Sequence, residues 1–167
     1  LITAAEWEEL ETGLAQRVRA LDAFVADVYG ARWIVQAGVV PERVLAAIGF
    51  LEPDMREVPR PPAAWVGVAG LDVVRGDDGH FRVLEDNVRT PSGMAYALAA
   101  RRAIAEHVPY AGRRRDIAAE LASYLRWAIA ASRPDPGEDG IAVLLTDGPA
   151  NSAYFEHREL AELAEVK

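Results

Sequence analysis

Cysteine is absent from this 167-residue chain, and lysine occurs only once, as Lys167. Without cysteine there can be no disulfide framework, no thiolate-bound zinc and no cysteine nucleophile. The other 17 of the 18 basic residues are arginines, and 26 acidic residues outnumber them, which gives a net charge of −8. Such a chain repels a phosphate backbone, so the composition argues against nucleic acid as a partner.

Other common signals are missing as well. No run of about 18 apolar residues occurs, so we expect no membrane span. Neither of the glycine-rich phosphate-binding fingerprints, of the Rossmann or the Walker type, is present. The start Leu1-Ile2-Thr3 has no basic segment, no apolar stretch and no methionine. We therefore expect a cytoplasmic chain without a signal peptide, excised from a longer protein. Its 51% apolar content suffices for one sizeable core.

The segment from Gly70 to Gly93, GLDVVRGDDGHFRVLEDNVRTPSG, carries the most information about function. Val73-Val74 and the run 81–84 have strand composition, and Asp77-Asp78-Gly79 between them is a turn signal. The pattern therefore predicts an antiparallel β-hairpin.

The spacing within this hairpin brings acidic side chains together. If the loop holds an even number of residues, Gly76 opposes Phe81, and Asp72 lies directly opposite Glu85, on one face with Asn87. Two carboxylates and an amide oxygen that converge in this way favour a Mg²⁺ site, because like charges so close repel unless a cation joins them. An exposed acidic hairpin without metal is the alternative. A three-residue loop, which Asp-Asp-Gly equally allows, would put Glu85 on the opposite face.

The same segment resembles the metal-binding end of ATP-grasp ligases. In that family an aspartate on one strand is followed on the next by a glutamate, any residue and an asparagine, and then by a short glycine-containing loop and a helix. These positions are occupied here by Asp72, Glu85, Asn87 and the loop 90–93. Three segments of the chain are similar to sequences of the circularly permuted ATP-grasp branch related to glutathionylspermidine synthase. They are LEDNVRTPSG (84–93), QRVRALDAFVADVYG (16–30) and NSAYFEH (151–157).

The resemblance implies an ATP-dependent carboxylate–amine (or carboxylate–thiol) ligase that forms its product through an acyl phosphate. Its cofactors would be ATP and Mg²⁺, and its substrates small-molecule or peptide carboxylates and amines. In this family pattern Asp72, Glu85 and Asn87 hold Mg²⁺. Arg89, the expected catalytic residue, and the Ser92–Gly93 amides stabilise the phosphoryl group or the oxyanion.

Two features depart from the family pattern. ATP-grasp ligases typically hold the nucleotide phosphates with lysines from a separate small domain, and the chain has no internal lysine. Gly70 stands where many related ligases have an arginine two residues before the aspartate. We therefore expect the isolated chain to lack ligase activity and to bind ATP weakly, with the cationic clamp supplied from outside residues 1–167.

Periodic apolar positions predict the remaining elements. One apolar face at three- and four-residue steps indicates a long N-terminal helix, with Thr3 as its N-cap, Glu6 completing a capping box and Gly30 at its end. We expect further elements as follows: helices over 31–37, from Pro41, over about 94–107 and over about 114–132, and a first strand near Trp65.

Two helix starts are candidate anion sites. Ser92 or Thr90 is expected to cap the helix after the hairpin, whose free N–H groups would face the metal site. The strand predicted over 141–145 leads into a helix capped by Asn151 or Ser152, and ligands of doubly wound sheets bind at this end of a strand. The candidates for phosphate or substrate binding are therefore Ser92, Gly93, Asn151 and Ser152.

The expected fold class is α/β, specifically an α+β piece of an ATP-grasp core. It comprises a long N-terminal helix, an antiparallel metal-binding hairpin, further helices and the first βα unit of a Rossmann-like domain. Residues 1–132 would form the helical front end and partial core, 133–140 a linker, and 141–167 the start of the second domain. A non-catalytic binding or scaffold module and a metal-dependent phosphohydrolase are the alternative functions.

Overall fold

The computed structural model describes residues 2–58, 63–108, 115–133 and 140–167. The chain divides into two compact units, Leu1–Pro91 and Ser92–Lys167. Most of the predicted linker 133–140 lies outside the described residues, so the division expected at that point stays a prediction.

The described residues of the first unit form helices and one hairpin. The helix α1 (Ala4–Tyr29) is followed by α2 (Trp33–Gln36), α3 (Glu42–Ala46), a 3₁₀ turn (Pro53–Arg56) and the strands β1 (Gly70–Arg75) and β2 (Phe81–Asn87). The two strands pair antiparallel. The long helix and the hairpin are confirmed.

The long helix α1 begins and ends where the sequence predicts. The Glu6 carboxylate accepts a hydrogen bond from the Thr3 N–H at 2.7 Å, and the Thr3 hydroxyl accepts one from the Glu6 N–H at 3.3 Å, which completes the capping box. Gly30 is the first residue beyond the helix, with φ −101°. A Cβ on Gly30 would lie 2.9 Å from the Ala26 carbonyl oxygen. Gly30 is therefore required because a side chain would clash with the preceding helical turn, and not because its backbone is left-handed.

The segment that leads to β1 is held by α1 instead of pairing as a strand. The Asp22 carboxylate accepts hydrogen bonds from the N–H groups of Trp65 and Val66 at 2.7 and 2.8 Å. The Trp65 ring stacks on Tyr29, with centroids 5.1 Å apart. The strand expected near Trp65 is therefore wrong, because a helix side chain satisfies these backbone donors, and β1 begins only at Gly70.

The second unit contains the helices α4 (Met94–Ala105), α5 (Ile117–Ala131) and α6 (Tyr154–Ala164). The strand expected over 141–145 forms no ladder within the described part of the chain, although the Leu144 N–H donates to the Lys167 carbonyl at 2.8 Å. A β-strand requires hydrogen bonds to a neighbouring strand, and no described segment forms such a ladder with residues 141–145. Helices with one small antiparallel sheet confirm the α+β fold class.

None of the described helices has the length and apolar character needed to cross a membrane.

Two ion pairs fasten the hairpin to α1. Near the hairpin turn, Arg75 of β1 binds the Glu6 carboxylate. Near the other end of β2, the Arg17 guanidinium donates two hydrogen bonds of 2.6 Å to the Asp86 carboxylate. Hydrogen bonds, from Arg75 first and then from Thr3, lower the pKa of Glu6 from 4.5 to about 2, and the hydrogen bond from Arg17 lowers the pKa of Asp86.

We expect the Glu6–Arg75 pair to stabilise the fold above about pH 4.5 and to lose this effect as the pH falls towards about 2. A carboxylate whose pKa is depressed by folding contributes stability while it is ionised in both states, and the contribution disappears on protonation of the folded form. Urea unfolding should therefore show the wild type to be more stable than Glu6→Gln near neutral pH. The difference should vanish near the folded-state pKa.

Glutamine keeps the capping-box position, so the pH-dependent part of the difference reports the charge of Glu6, for which Arg75 is the main partner. Glu9→Gln removes the same charge from an exposed position of α1 and serves as the control. A stability difference between the wild type and Glu6→Gln that stays constant with pH would contradict the assignment.

Candidate functional site

The hairpin pairs Asp72 directly with Glu85, and an irregularity in β2 makes this possible. Towards the turn, the ladder pairs Val73 with Val83, yet the next pair along is Asp72 with Glu85. Leu84 is the extra residue between these two pairs, so β2 contains a β-bulge. Beyond the bulge every residue of β2 is shifted by one position relative to β1.

The hairpin loop is the three-residue form. The Gly76 N–H donates to the His80 carbonyl at 2.9 Å, which leaves residues 77–79 between them. The last of these, Gly79, has φ +82°, the left-handed conformation typical of such loops. The premise of an even-numbered loop is therefore wrong, and this loop alone would have turned Glu85 to the opposite face. The bulge compensates by adding one residue to β2.

Contacts with α1 show which way the residues beyond the bulge point. Asp86 binds Arg17 and therefore faces the helix. Because side chains alternate along a strand, Glu85 and Asn87 lie on the face away from α1, where Asp72 also lies as the direct partner of Glu85. Asp72 and Glu85 are exposed, and Asn87 is half-buried. The hairpin thus brings the three predicted metal ligands to one face.

The donor set on this face fits a hard divalent cation. In the described residues Asp78 and Asp86 each bind an arginine, whereas Asp72 and Glu85 form neither an ion pair nor a side-chain hydrogen bond. Two directly opposed carboxylates without partners repel each other, and with the Asn87 amide oxygen they are donors of the kind that Mg²⁺ takes. The described parts of the chain hold no metal-binding group of three or more His, Cys, Asp and Glu. Mg²⁺ usually takes only one or two carboxylates in a protein and completes its shell with water and substrate oxygens.

Gly70 leaves space for Pro91. It pairs with Asn87 across the ladder, and a Cβ on Gly70 would lie 3.6 Å from the Asn87 Cβ and 3.1 Å from the Pro91 Cβ. The second distance is shorter than ordinary van der Waals contact. The glycine that departs from the family pattern therefore permits the close approach of Pro91 to the start of β1.

Arg89 lies beyond the strand. Because β2 ends at Asn87, strand alternation does not extend to Arg89 and does not place it on the metal face. The Arg89 guanidinium lies 4.7 Å from the centroid of the Phe50 ring, which is 74% exposed. A cation–π contact at such an exposed position is weak, about 0.5–1 kcal/mol, so the ring leaves Arg89 free to engage a ligand. Its catalytic role stays a prediction.

A distant carboxylate occupies the start of α4. Glu156 of α6 is 3% exposed, and it accepts hydrogen bonds from the Gly93 N–H, 2.9 Å from each oxygen, and from the Ala95 N–H at 3.0 Å. Gly93 is the N-cap residue, with φ +112°, and no side chain of its own segment caps the helix. The expected cap by Ser92 or Thr90 is therefore wrong, and the N–H groups of Gly93 and Ala95 are already bound. A negative charge already satisfies this helix start.

Asn151 and Ser152 lie in the turn before α6. The Asn151 side chain accepts a hydrogen bond from the Ala153 N–H at 2.8 Å and donates to the Asp147 carboxylate at 3.0 Å. The Ser152 carbonyl accepts a hydrogen bond from the Tyr96 hydroxyl at 2.9 Å. Asn151 therefore shapes this turn, although Ala153 is the residue immediately before the helix. The predicted ligand-binding role of both residues stays a prediction.

The predicted site residues are divided between the two units. The first unit carries Asp72, Glu85, Asn87 and Arg89, and the second carries Ser92, Gly93, Asn151 and Ser152. Sequence reasoning missed Leu84, Asp86 and Glu156. The family-like stretch NSAYFEH contains Glu156, but nothing local to it signals that its carboxylate binds amides 61 and 63 residues earlier in the chain.

The ordering of Asp72, Glu85, Asn87 and a glycine-containing loop before a helix agrees with a comparison of the whole chain. Residues 1–167 match the family model described as circularly permuted ATP-grasp type 2. The chain belongs to this family. The match therefore covers the whole ATP-grasp chain and both of its units.

Individual relatives are longer proteins. An uncharacterized protein of Mycobacterium leprae is 40% identical over 163 residues, which cover 96% of the ATP-grasp chain and 29% of the relative. A Synechocystis protein, also uncharacterized, is 40% identical over 165 residues, or 97% of the chain and 34% of the relative. A Frankia casuarinae protein with the name "Putative glutamate--cysteine ligase 2-2" is 45% identical over 166 residues, or 97% of the chain and 19% of the relative. The chain thus spans a fifth to a third of these relatives.

We expect the opposed carboxylates to cost the metal-free protein stability. Glu85→Gln keeps the side-chain volume but removes the repulsion from Asp72, so it should raise the free energy of unfolding by roughly 0.5 kcal/mol in metal-free buffer. Asp77→Asn removes a charge from the turn of the same hairpin and should have no such effect. Urea denaturation of both variants checks this expectation. A loss of stability in Glu85→Gln would show that Glu85 makes a stabilising contact instead.

Proposed function

We propose that these residues form the metal-binding part of an ATP-dependent carboxylate–amine ligase that makes an amide bond through an acyl phosphate. One observation carries the proposal: Asp72 lies directly opposite Glu85, with Asn87 on the same face, in the segment that resembles the metal-binding end of ATP-grasp ligases. Membership of the circularly permuted ATP-grasp family supports ATP chemistry. Two Frankia relatives carry the names "Putative glutamate--cysteine ligase 2-2" and "Putative glutamate--cysteine ligase 2-3", which support ligation as the reaction class.

Each ligand of the hairpin has a separate task in the proposed site. Asp72 and Glu85 would hold Mg²⁺ by their carboxylates, since neither has a competing cation in the described residues. Asn87, which is half-buried, would contribute a neutral oxygen of fixed position. When bound, Mg²⁺ would neutralise the charge that develops on the phosphate oxygens of ATP.

The residues after the hairpin would bind the anionic parts of the substrates. Arg89 ends the hairpin with an exposed guanidinium whose fork suits a phosphoryl group or a substrate carboxylate. Ser92 has a hydroxyl without a partner in the described residues and would serve as a further donor. Gly93 would act through its left-handed backbone, because its N–H is bound to Glu156. Asn151 and Ser152 are further candidates in the turn before α6.

The proposed ligase needs more chain than these residues. ATP bound to Mg²⁺ is still anionic, the chain has a net charge of −8, and its one lysine is Lys167. The cations that hold the nucleotide phosphates would come from other parts of the full-length protein. The substrates would be a small-molecule or peptide carboxylate and an amine.

In the full-length protein, Asp72→Asn and Glu85→Gln should each lower Mg²⁺-dependent ATP turnover by more than about 100-fold, beyond the range seen for groups that act only through a metal ligand. Both changes remove a charged metal ligand with little change in volume. Asp77→Asn in the turn is the matched control and should leave turnover unchanged. Phosphate release, assayed with and without added carboxylate and amine, is the measurement.

Unchanged turnover in both ligand variants, together with normal unfolding curves, would refute the metal role and favour a scaffold module. Phosphate release that needs no carboxylate and no amine would favour a metal-dependent phosphohydrolase.

A further inference from the structure

We propose that Arg17 and Asp86 are positioning residues for the metal site, and that their ion pair holds β2 in the phase that turns Glu85 and Asn87 away from α1. The proposal rests on the proposed function, because it assigns to this pair the geometry of the same metal ligands.

The end of β2 could pair with β1 in two registers, called phases here: one with the bulge at Leu84 and one without it. If the ladder continued from Val73–Val83 without the bulge, Leu84 would oppose Asp72, and Glu85 would face α1. The observed phase leaves Leu84 exposed at 70%, so burial of an apolar side chain does not select it. A different contact must therefore favour the bulged phase.

The Arg17–Asp86 pair is the contact that distinguishes the two phases. Asp86 reaches the Arg17 guanidinium only in the bulged ladder, where two hydrogen bonds of 2.6 Å form a fork. A bidentate pair fixes orientation as well as distance. Arg17 is carried by a 26-residue helix, and Asp86 lies between Glu85 and Asn87 in sequence, so the constraint acts directly on the neighbours of both ligands.

The second ion pair of the hairpin offers a matched comparison. Glu6 and Arg75 also join α1 to the hairpin, but Arg75 pairs with Phe81 on the turn side of the bulge. That part of the ladder has the same phase with or without Leu84. Loss of the Glu6–Arg75 pair should therefore loosen the hairpin without changing the direction in which Glu85 points.

The sign of the effect on metal affinity separates positioning from simple electrostatics. Arg17 is a cation near a proposed cation site, so removal of its charge should tighten metal binding if Arg17 acts only through its field. If Arg17 acts by holding the strand, the same change should weaken metal binding. Arg17→Gln therefore gives opposite results under the two explanations.

The test is a titration of the full-length protein with Mn²⁺ alone, in which electron paramagnetic resonance measures free Mn²⁺. Arg17→Gln should raise the apparent dissociation constant for Mn²⁺ about tenfold or more, the range for groups that orient metal ligands. Arg17→Lys keeps the charge but loses the fork, so an intermediate increase is expected. Glu6→Gln should leave the constant unchanged. Unfolding midpoints of all variants show whether a loss of affinity merely follows a loss of stability.

Equal or tighter Mn²⁺ binding by Arg17→Gln would overturn the inference. If Arg17→Gln does not fold, an unchanged dissociation constant for Mn²⁺ in Arg17→Lys would overturn it. An equal loss of affinity in Glu6→Gln would also overturn it, because the effect would then be general loosening. Glu85→Gln tests the proposed function separately. If Glu85→Gln binds Mn²⁺ more weakly but Arg17→Gln binds it unchanged, only the positioning role is refuted. If Glu85→Gln binds Mn²⁺ unchanged, the proposed metal site and the positioning role are both refuted.

Discussion

The candidate site depends on the two-residue alternation of side chains along β2 and on its single interruption at Leu84. The three-residue loop alone would turn Glu85 towards α1, and the extra residue reverses this so that Glu85 lies opposite Asp72. Bulges commonly occur beside active sites, where they redirect one side chain. Here the redirected side chains are Glu85, which meets Asp72, and Asp86, which meets Arg17. The repulsion between Asp72 and Glu85 is tolerated next to the attraction between Arg17 and Asp86.

Within each unit, acidic side chains other than Asp72 and Glu85 hold elements of that unit together. In the first unit, α1 receives the hairpin through Glu6 and Arg17 and also binds the backbone that leads to β1 through Asp22. In the second unit, Glu156 joins α6 to the first turn of α4. Its buried carboxylate is tolerated because two backbone N–H groups donate to it. Acidic side chains thus act as structural acceptors in both units, and Asp72 and Glu85 differ from them in having no such partner in the described residues.

Features encoded over a few residues could be predicted from the sequence. The Thr3–Glu6 capping box, the end of α1 at Gly30 and the hairpin signal at Asp77-Asp78-Gly79 are of this kind. The bulge was not predictable, because Leu84 looks like any other strand residue until its pairing partner is known. The partners Arg17 and Asp86 are 69 residues apart, and no local pattern records such a contact. The same holds for Glu156, whose place at α4 is a matter of tertiary packing.

In the proposed site, Asp72 and Glu85 hold one divalent cation between them. Crystals of the full-length protein soaked in Mn²⁺ would test it through the anomalous signal of the metal. We expect a peak about 2.2 Å from a carboxylate oxygen of each residue, close to the distances of hard-cation sites, with the Asn87 amide oxygen on the same side. A peak bound by other residues, or Asp72 and Glu85 on opposite faces of the hairpin, would contradict the claim.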